Sequence, residues 1–481
     1  MVFPIVGGDG KPTGYDIENS LRFNDADKHY LERTFDSGGS QRTFTISVWV
    51  KRSELGATNP VWGAAPSNGG QCSLQFNSSD QLVLREYNTS DEEVMNLVTS
   101  AKFRDPAAWY HIVAAVDTTD GTASNRAKLY VNGTIQSLGT ATYPNQNYDL
   151  LMNNTGNTGK FFVGTETYSS VNVVFDGYMS EFYIINNSQL TPTSFGEEDT
   201  NGVWIPTDAS GDLTFGHNGV YLEFKQTGTG QNSSGIGADT SGEDHHFAIN
   251  NNNAAFASTD ITTDTPTNNF ITVTPLGGVD ASARFTFSEG NTVITQADNG
   301  NWRGTGSTIA LTSGKWYWEV QNAASASTNF RNFIGVIDAN IDINNTTSYD
   351  LPAASLWYNW NNGEINTDGT YTTADYGGGS SGSPIAQGDT LGILLNMDDD
   401  EVSFFKNGSA LVEGFSLSTN ISTAMPFHAS GESADTFKIN FGNPAHSISS
   451  TQADDNGYGN FEYDVPAGYY AICTKNLAEY G

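Results

Sequence analysis

Apolar and polar positions alternate along most of this chain with a period of two. In "TFTISVWV" (43–50), Phe44, Ile46, Val48 and Val50 share one face, while Thr43, Thr45 and Ser47 share the other. That is the pattern of a half-buried strand. Runs of the same kind follow one another from about 17 to 190: "SLRFN", "QLVLREY", "AWYHIVAAVD", "AKLYVNG", "KFFVGT" and "FDGYMSEFYIIN". A second series, with "SGKWYWEVQ", "NFIGVID", "SLWYNWNNGEI", "DTLGILLNMDDDEVSFFKNG" and "DTFKINFGN", fills about 283 to 475. No helical period of useful length appears in either block. The expected fold is all-β, with two antiparallel β-sandwich (jelly-roll) domains joined by a polar connector. Its expected divisions are an N-terminal arm at 1–16, a first sandwich at 17–195, a connector with short strands at 196–282 and a second sandwich at 283–481.

Two strands run into Asn-Gly, in "AKLYVNGT" (127–134) and "EVSFFKNGS" (401–409). A two-residue type I′ turn needs positive φ at both central positions, which Asn and Gly tolerate best. Leu129 and Val131 share a face opposite Tyr130, and Val402 and Phe404 share a face opposite Phe405. Both are expected to be scaffold hairpins. The words around them differ, so they do not mark an internal duplication.

Length and composition fit this picture. A chain of 481 residues exceeds one ordinary all-β core, since such domains commonly reach about 200–250 residues. Charged residues make up only 16%, against about 25% in typical domains, and Asn, Ser, Thr and Gly take their place as turn formers. With 21 basic and 54 acidic residues, the net charge is -33. Such a surface repels phosphate backbones and anionic lipid, which points away from nucleic-acid binding. It favours solubility and attracts cations. Cys72 and Cys473 fall in different halves and are expected to be reduced and packed. The opening "MVFPIVGGDGKPTGYD" lacks a basic n-region and a long apolar h-region, and no run approaches 18 apolar residues. Synthesis and folding in a cytoplasm, without membrane insertion, is the expectation.

The order "WYHIVAAVD", "KLYVNG", "FFVGT" and "FDGYMSEFYIINNSQLTPTSF" resembles a laminin-G-like, concanavalin A-type domain over about 17–195. "GKWYWEVQ" (314–321), "IGVID" (334–338), "GDTLGILLNMDDDEVSFFKNG" (388–408) and "INFGNP" (439–444) resemble a SPRY domain over about 283–445. That resemblance implies structural roles for Gly388, Gly392, Gly408, Phe404 and Phe441. Nearly the whole chain, including "GYDIENSLRFNDADKHYLERTF", "DTPTNNFITVTPL" and "VPAGYYAICTKNLAE", resembles virion fibre or adhesin proteins of tailed bacteriophages.

Candidate chemistry is sparse. A glycoside hydrolase needs two carboxylates flanking the bond, and no predicted strand carries an E-x-D-x-x-E spacing; no catalytic residue is assigned. "GEDHHF" (242–247) places Glu243, Asp244, His245 and His246 side by side, where neighbours rarely point at one metal; an exposed loop is expected. Asp398, Asp399 and Asp400 offer hard oxygen ligands that would suit Ca²⁺. No other cofactor is implied. A glycan needs an aromatic face and amide or carboxylate partners, which Tyr143, Asn145, Asn147, Tyr148, Tyr349 and Asp350 offer on long polar loops. Trp357, Tyr358 and Trp360 are expected to be core at alternate positions.

The functional expectation is a non-enzymatic virion protein, a tail or head fibre component that binds a host-surface glycan or protein. The resemblance implies other virion proteins as partners and a homo-oligomer, with trimers common, although no heptads drive one. The 1–16 arm is the natural virion anchor. A head-decoration or connector protein that binds only virion neighbours is the alternative. A polysaccharide depolymerase would require the missing carboxylate pair.

Overall fold

The computed structural model describes residues 14–166, 173–251, 254–276, 285–297, 303–324, 332–341, 354–360, 363–371, 385–431 and 434–481. The chain divides into compact units at Thr267 and Asn268. Both are all-β. Among the described residues no helix is long and apolar enough to cross a membrane.

In the first unit, two sheets face each other. One runs, in spatial order, Thr134–Ile135, Ala127–Val131, Trp109–Asp117, Thr43–Arg52, Gly177–Asn186, Ser20–Phe23 and Ile261–Thr262, with Val220–Leu222 also paired to Gly177–Asn186. The other runs Leu138–Thr142, Glu93–Thr99, Leu82–Tyr87, Gln71–Phe76, Asn59–Ala65, Lys160–Val163, His29–Thr34 and Ala248–Asn251. Phe44, Ile46, Val48 and Val50 point between the sheets, as their alternation predicts, and pack with Leu74, Leu84, Phe161 and Phe182.

The opposite face of Thr43–Arg52 is buried too, because residues 196–267 cover it. This polar stretch, expected as a connector, lays Ala209, Phe215 and Tyr221, together with Phe195 just before it, onto Val113, Ala115, Tyr183 and Ile185. It also sends Val220, Leu222, Phe224, Ile236, Phe247 and Phe256 into the main core. Each such side chain contributes up to about 1.5–3 kcal/mol on burial, so widely spaced apolar residues suffice to pin a polar segment. Its backbone is satisfied locally: Asp239 accepts from the amides of Tyr221, Ser241 and His245 at 2.8–2.9 Å. Within "GEDHHF", His245 is therefore buried against Gly219 O, and His246 Nδ1 accepts from Asp239 N, while Asp244 stays exposed. Buried ion pairs complete the unit: Arg22 with Asp260, Lys51 with Asp264 and Arg52 with Asp80. Of the expected 1–16 arm, residues 1–13 lie outside the described residues. Tyr15 is partly buried and its hydroxyl meets that of Tyr221 at 3.3 Å.

The second unit pairs a sheet ordered Phe285–Ser288, Val293–Gln296, Thr436–Asn440, Lys315–Ala324, Thr390–Asn396, Glu401–Lys406 and Ser409–Ser416 with another ordered Arg303–Gly306, Ala424–Ser430, Asn332–Asp338, Ser355–Asn359, Ile365–Thr367 and Thr370–Tyr371. Trp316, Trp318, Tyr358, Trp360 and Phe404 fill the space between. Trp357 is buried as well, on the other face of its strand against Phe333, Met425 and Phe427. The C-terminal segment packs Phe461, Ala471 and Cys473 onto Phe270, Tyr317 and Leu394. Both cysteines are free and buried.

The two Asn-Gly turns have matching geometry. Asn132 and Gly133 lie at φ 46° and 74°, Asn407 and Gly408 at φ 48° and 76°, as a type I′ turn requires. Each Asn closes a ring with the strand before it. Asn132 Oδ1 accepts from His111 N at 2.8 Å and Asn407 Oδ1 accepts from Thr390 N at 2.9 Å. In return, each Asn N–H donates to the carbonyl of the same residue, His111 or Thr390.

Candidate functional site

The loop residues expected to contact a ligand divide into anchors and exposed groups. Tyr143 and Tyr148 are half-buried and pack against the first core. Burial and the nearby Glu86 carboxylate both push the Tyr148 hydroxyl up. Between them runs a turn closed by Tyr148 N to Asn145 O at 3.1 Å, with Asn147 at φ 60°. Asn147 N donates to Thr118 O and Thr118 Oγ1 donates to Tyr148 O, fixing the loop to the 117–120 turn. Asn145 and Asn147 are the exposed members. Tyr349 and Asp350 lie outside the described residues.

Asp398, Asp399 and Asp400 form the turn between Thr390–Asn396 and Glu401–Lys406. Asp398 Oδ1 accepts from Gly314 N at 2.8 Å, and Asp399 Oδ2 accepts from Asn396 Nδ2 at 2.8 Å and Lys315 Nζ at 3.2 Å. The Asn396 and Lys315 donors hold the Asp399 carboxyl below its usual range. The Asp398 and Asp399 oxygens are engaged in tying this turn to the start of Lys315–Ala324. Among the described residues no three His, Cys, Asp or Glu side chains converge as a metal site.

A different surface gathers polar and aromatic groups on a rigid frame. Along Leu82–Tyr87, Leu82, Leu84 and Glu86 point into the core, which turns Val83, Arg85 and Tyr87 to the outer face of the second sheet. Cross-strand register sets Arg85 between Asn96 and Ser73, and Tyr87 between Glu93 and Gln71. Arg85 Nη2 reaches Glu166 Oε2 at 3.0 Å, and Ser73 Oγ donates to the same oxygen at 3.3 Å. The Arg85 guanidinium lies 5.5 Å from the centre of the Tyr87 ring. Tyr87 Oη donates to Glu93 Oε2 at 3.2 Å, and Asn96 Nδ2 donates to it at 3.0 Å. Burial, and then the Glu93 carboxylate, push the Tyr87 hydroxyl up. Arg85 and Glu166 keep 24% and 12% of their side-chain surface, enough to exchange hydrogen bonds with a bound molecule. A guanidinium, a carboxylate, an amide and a phenol ring on adjacent strands, with a second carboxylate from the loop after Lys160–Val163, form a donor–acceptor array suited to a hydroxyl-rich ligand. Sequence reasoning assigned none of these residues, although the alternation of "QLVLREY" puts Arg85 and Tyr87 on one face.

Three buried glutamates are turned inward instead. Glu86 Oε2 accepts from Leu151 N at 3.0 Å beside Cys72, and burial pushes its carboxyl up to about 8. Glu181, at φ 49° where the pairing with Thr43–Arg52 shifts register, accepts from Tyr183 and Tyr221 hydroxyls at 2.5 and 2.8 Å. Burial raises it to about 7, although both tyrosines pull it down. Glu319 accepts from Tyr317 Oη, Asn440 Nδ2, Glu462 N and Tyr463 N at 2.9–3.1 Å, and burial raises it. Each holds structure together.

Comparison with known proteins gives two domain matches. Residues 26–196 match the laminin-G-type model of the concanavalin A-like lectin/glucanases superfamily, and residues 315–444 match the SPRY domain model. Among solved structures, a putative carbohydrate binding protein from Bacteroides ovatus is 17% identical, with TM-score 0.32, covering 51% of this chain and 62% of its own. The native heptameric SAP-like pentraxin from Limulus polyphemus is 15% identical, with TM-score 0.30, covering 43% of this chain and 94% of its own. The SPRY domain of human HERC1 is 18% identical, with TM-score 0.26, covering 31% of this chain and 87% of its own. No curated protein matches the chain.

Proposed function

We propose that this chain is a non-enzymatic recognition protein of a bacteriophage particle, a tail or head fibre component that binds a host-surface glycan or protein. The observation that carries the binding part is the outer face of the second sheet, where Arg85, Glu166, Tyr87, Glu93 and Asn96 stand together. It belongs to the domain that matches the concanavalin A-like superfamily. The outer face of the other sheet is covered by residues 195–221, whereas Arg85, Glu166 and Tyr87 keep part of their surface exposed. The inward setting of Glu86, Glu181 and Glu319 favours binding over hydrolysis. The virion assignment rests on the sequence resemblance to phage fibre proteins, as do virion neighbours and further copies of this chain as partners.

The test is glycan-array and host-cell binding of the full-length chain, alongside Arg85→Ala and Tyr87→Ala. The reading expects cell or glycan binding that each substitution weakens by about tenfold or more, with unchanged circular dichroism. Capture of virion proteins alone would favour the head-decoration or connector reading. Release of sugar from host polysaccharide would replace the non-enzymatic assignment with a depolymerase.

A further inference from the structure

Lys51 and Asp264 meet in a setting that invites a reaction between them. Lys51 Nζ lies 2.7 Å from Asp264 Oδ2, and each side chain retains only 1% of its surface. Lys51 stands in register between Trp109 and Tyr178 on its two neighbouring strands. With Ile17 and Trp49 these form an apolar cluster, and the ammonium lies 5.5 Å from the centre of the Tyr178 ring. Trp109 Nε1 donates to the second carboxylate oxygen, Asp264 Oδ1, at 3.2 Å. Asp264 is fixed from behind, since its carbonyl accepts from Ser20 Oγ at 2.6 Å, and Ser20 Oγ also meets Thr262 Oγ1 at 2.8 Å. An amine, a carboxyl carbon and a donor aimed at the carboxyl oxygen are thus preset in a water-poor pocket, the arrangement that lowers an acyl-transfer barrier.

We propose that Lys51 and Asp264 condense into an intramolecular amide, a covalent tie that the folded first unit forms on itself. A proton passes from the ammonium to Oδ2 along their hydrogen bond, giving a neutral amine and a carboxylic acid. Burial favours this, because it pushes the Lys51 ammonium down against the opposing pull of Asp264 and Asp105. Nζ then bonds to Cγ while Trp109 Nε1–H holds the charge that develops on Oδ1. The Cγ–Oδ2 bond breaks, and Oδ2 leaves as water with two of the three original ammonium hydrogens; the third stays on the amide nitrogen. No oxidant, reductant or co-reactant enters. The bond joins a central strand to a segment 213 residues later, locking the 261–267 stretch onto the sheet.

Intact-mass measurement of the denatured full-length chain tests this. The expected mass is one water below that of the sequence, and protease digestion should yield one branched peptide containing both residue 51 and residue 264. Lys51→Arg and Asp264→Ala should each restore the full mass and release two linear peptides. A full-mass chain whose two peptides separate would overturn the proposal, and so would a water loss mapped to any other aspartate. The unsubstituted protein alone decides the matter should either variant fail to fold.

Discussion

The two Asn-Gly turns share their backbone and differ in what covers them. In the first unit the lid is Trp204, whose ring would lie 2.4 Å from a Cβ on Gly133 and whose indole N–H donates to His111 Nδ1 at 2.9 Å. His111 in turn meets Ser47 Oγ at 2.8 Å and stacks on Trp49. In the second unit the lid is Tyr463, which would lie 2.8 Å from a Cβ on Gly408. Its backbone is held by the buried Glu319 carboxylate. One lid is thus locked through an imidazole that burial keeps uncharged down to about pH 3, and the other through a buried carboxyl group that accepts from four donors. A turn motif can recur because its requirement is local. A lid is recruited from wherever the chain next returns, so its chemistry need not repeat.

The largest expected effect comes from removing that carboxyl group. Glu319→Ala strands the amides of Glu462 and Tyr463, the Tyr317 hydroxyl and the Asn440 amide. With unpaired buried groups at about 1–3 kcal/mol each, partly relieved by water, a loss of about 3–5 kcal/mol is expected. Hydrogen exchange should show the 449–473 segment released while the first unit stays protected. If the segment remains protected, the carboxylate is not its lock.

The glycine pair comes next. Gly133→Ala and Gly408→Ala both force a side chain into the left-handed region, at about 1–2 kcal/mol, and both push on a ring. The closer Trp204 contact makes Gly133→Ala the more costly, at about 3 kcal/mol against about 2 for Gly408→Ala. Denaturant unfolding of the full chain, read by Trp fluorescence and by exchange in each hairpin, gives the order. Equal losses would mean that the lids do not matter.

The smallest effect concerns sign. Burial raises Glu86 to about 8 against the opposing pull of the Leu151 amide and the Cys72 thiol, two donors against the four that serve Glu319. A carboxyl raised on folding supports the fold fully below its ordinary pKa, and that support is lost as pH rises through the folded value. The first unit should therefore lose stability from about pH 4.5 to about pH 8. Glu86→Gln should flatten that slope and raise stability by about 1 kcal/mol near pH 9, whereas Glu319→Gln, which sets a donor amide against four donors, should lower stability at every pH. Thermal melts across pH, with both variants, check the contrast.

Much of this fold is legible in the residues. Alternation at Thr43–Arg52 names the buried face, and Asn-Gly names both hairpins, because each depends on neighbours within a few positions. What could not be read is the second covered face. Ser47, Trp49 and Lys51 are buried by chain some 150–220 residues away, whose polar composition hid Phe215, Tyr221 and Phe256 among Asn, Ser and Asp. The site escaped for a related reason. Arg85 and Glu166 meet only through strand order and a returning loop, while loop tyrosines such as Tyr143 and Tyr148 look available and are partly used as anchors.

The buried ion pairs of the first unit bear on how the protein meets any surface. Arg22, Lys51 and Arg52, three of the chain's 21 basic residues, are sealed inside with their acidic partners. The excess of acid is therefore carried outward, with few positive groups left to soften it. Approach to an anionic cell envelope begins uphill, and mobile ions decide how far the hill extends: about 10 Å at 0.1 M salt and about 3 Å at 1 M. Encounter should quicken as salt is added, the reverse of a ligand drawn in by opposite charge. For such a molecule, brine is a lubricant.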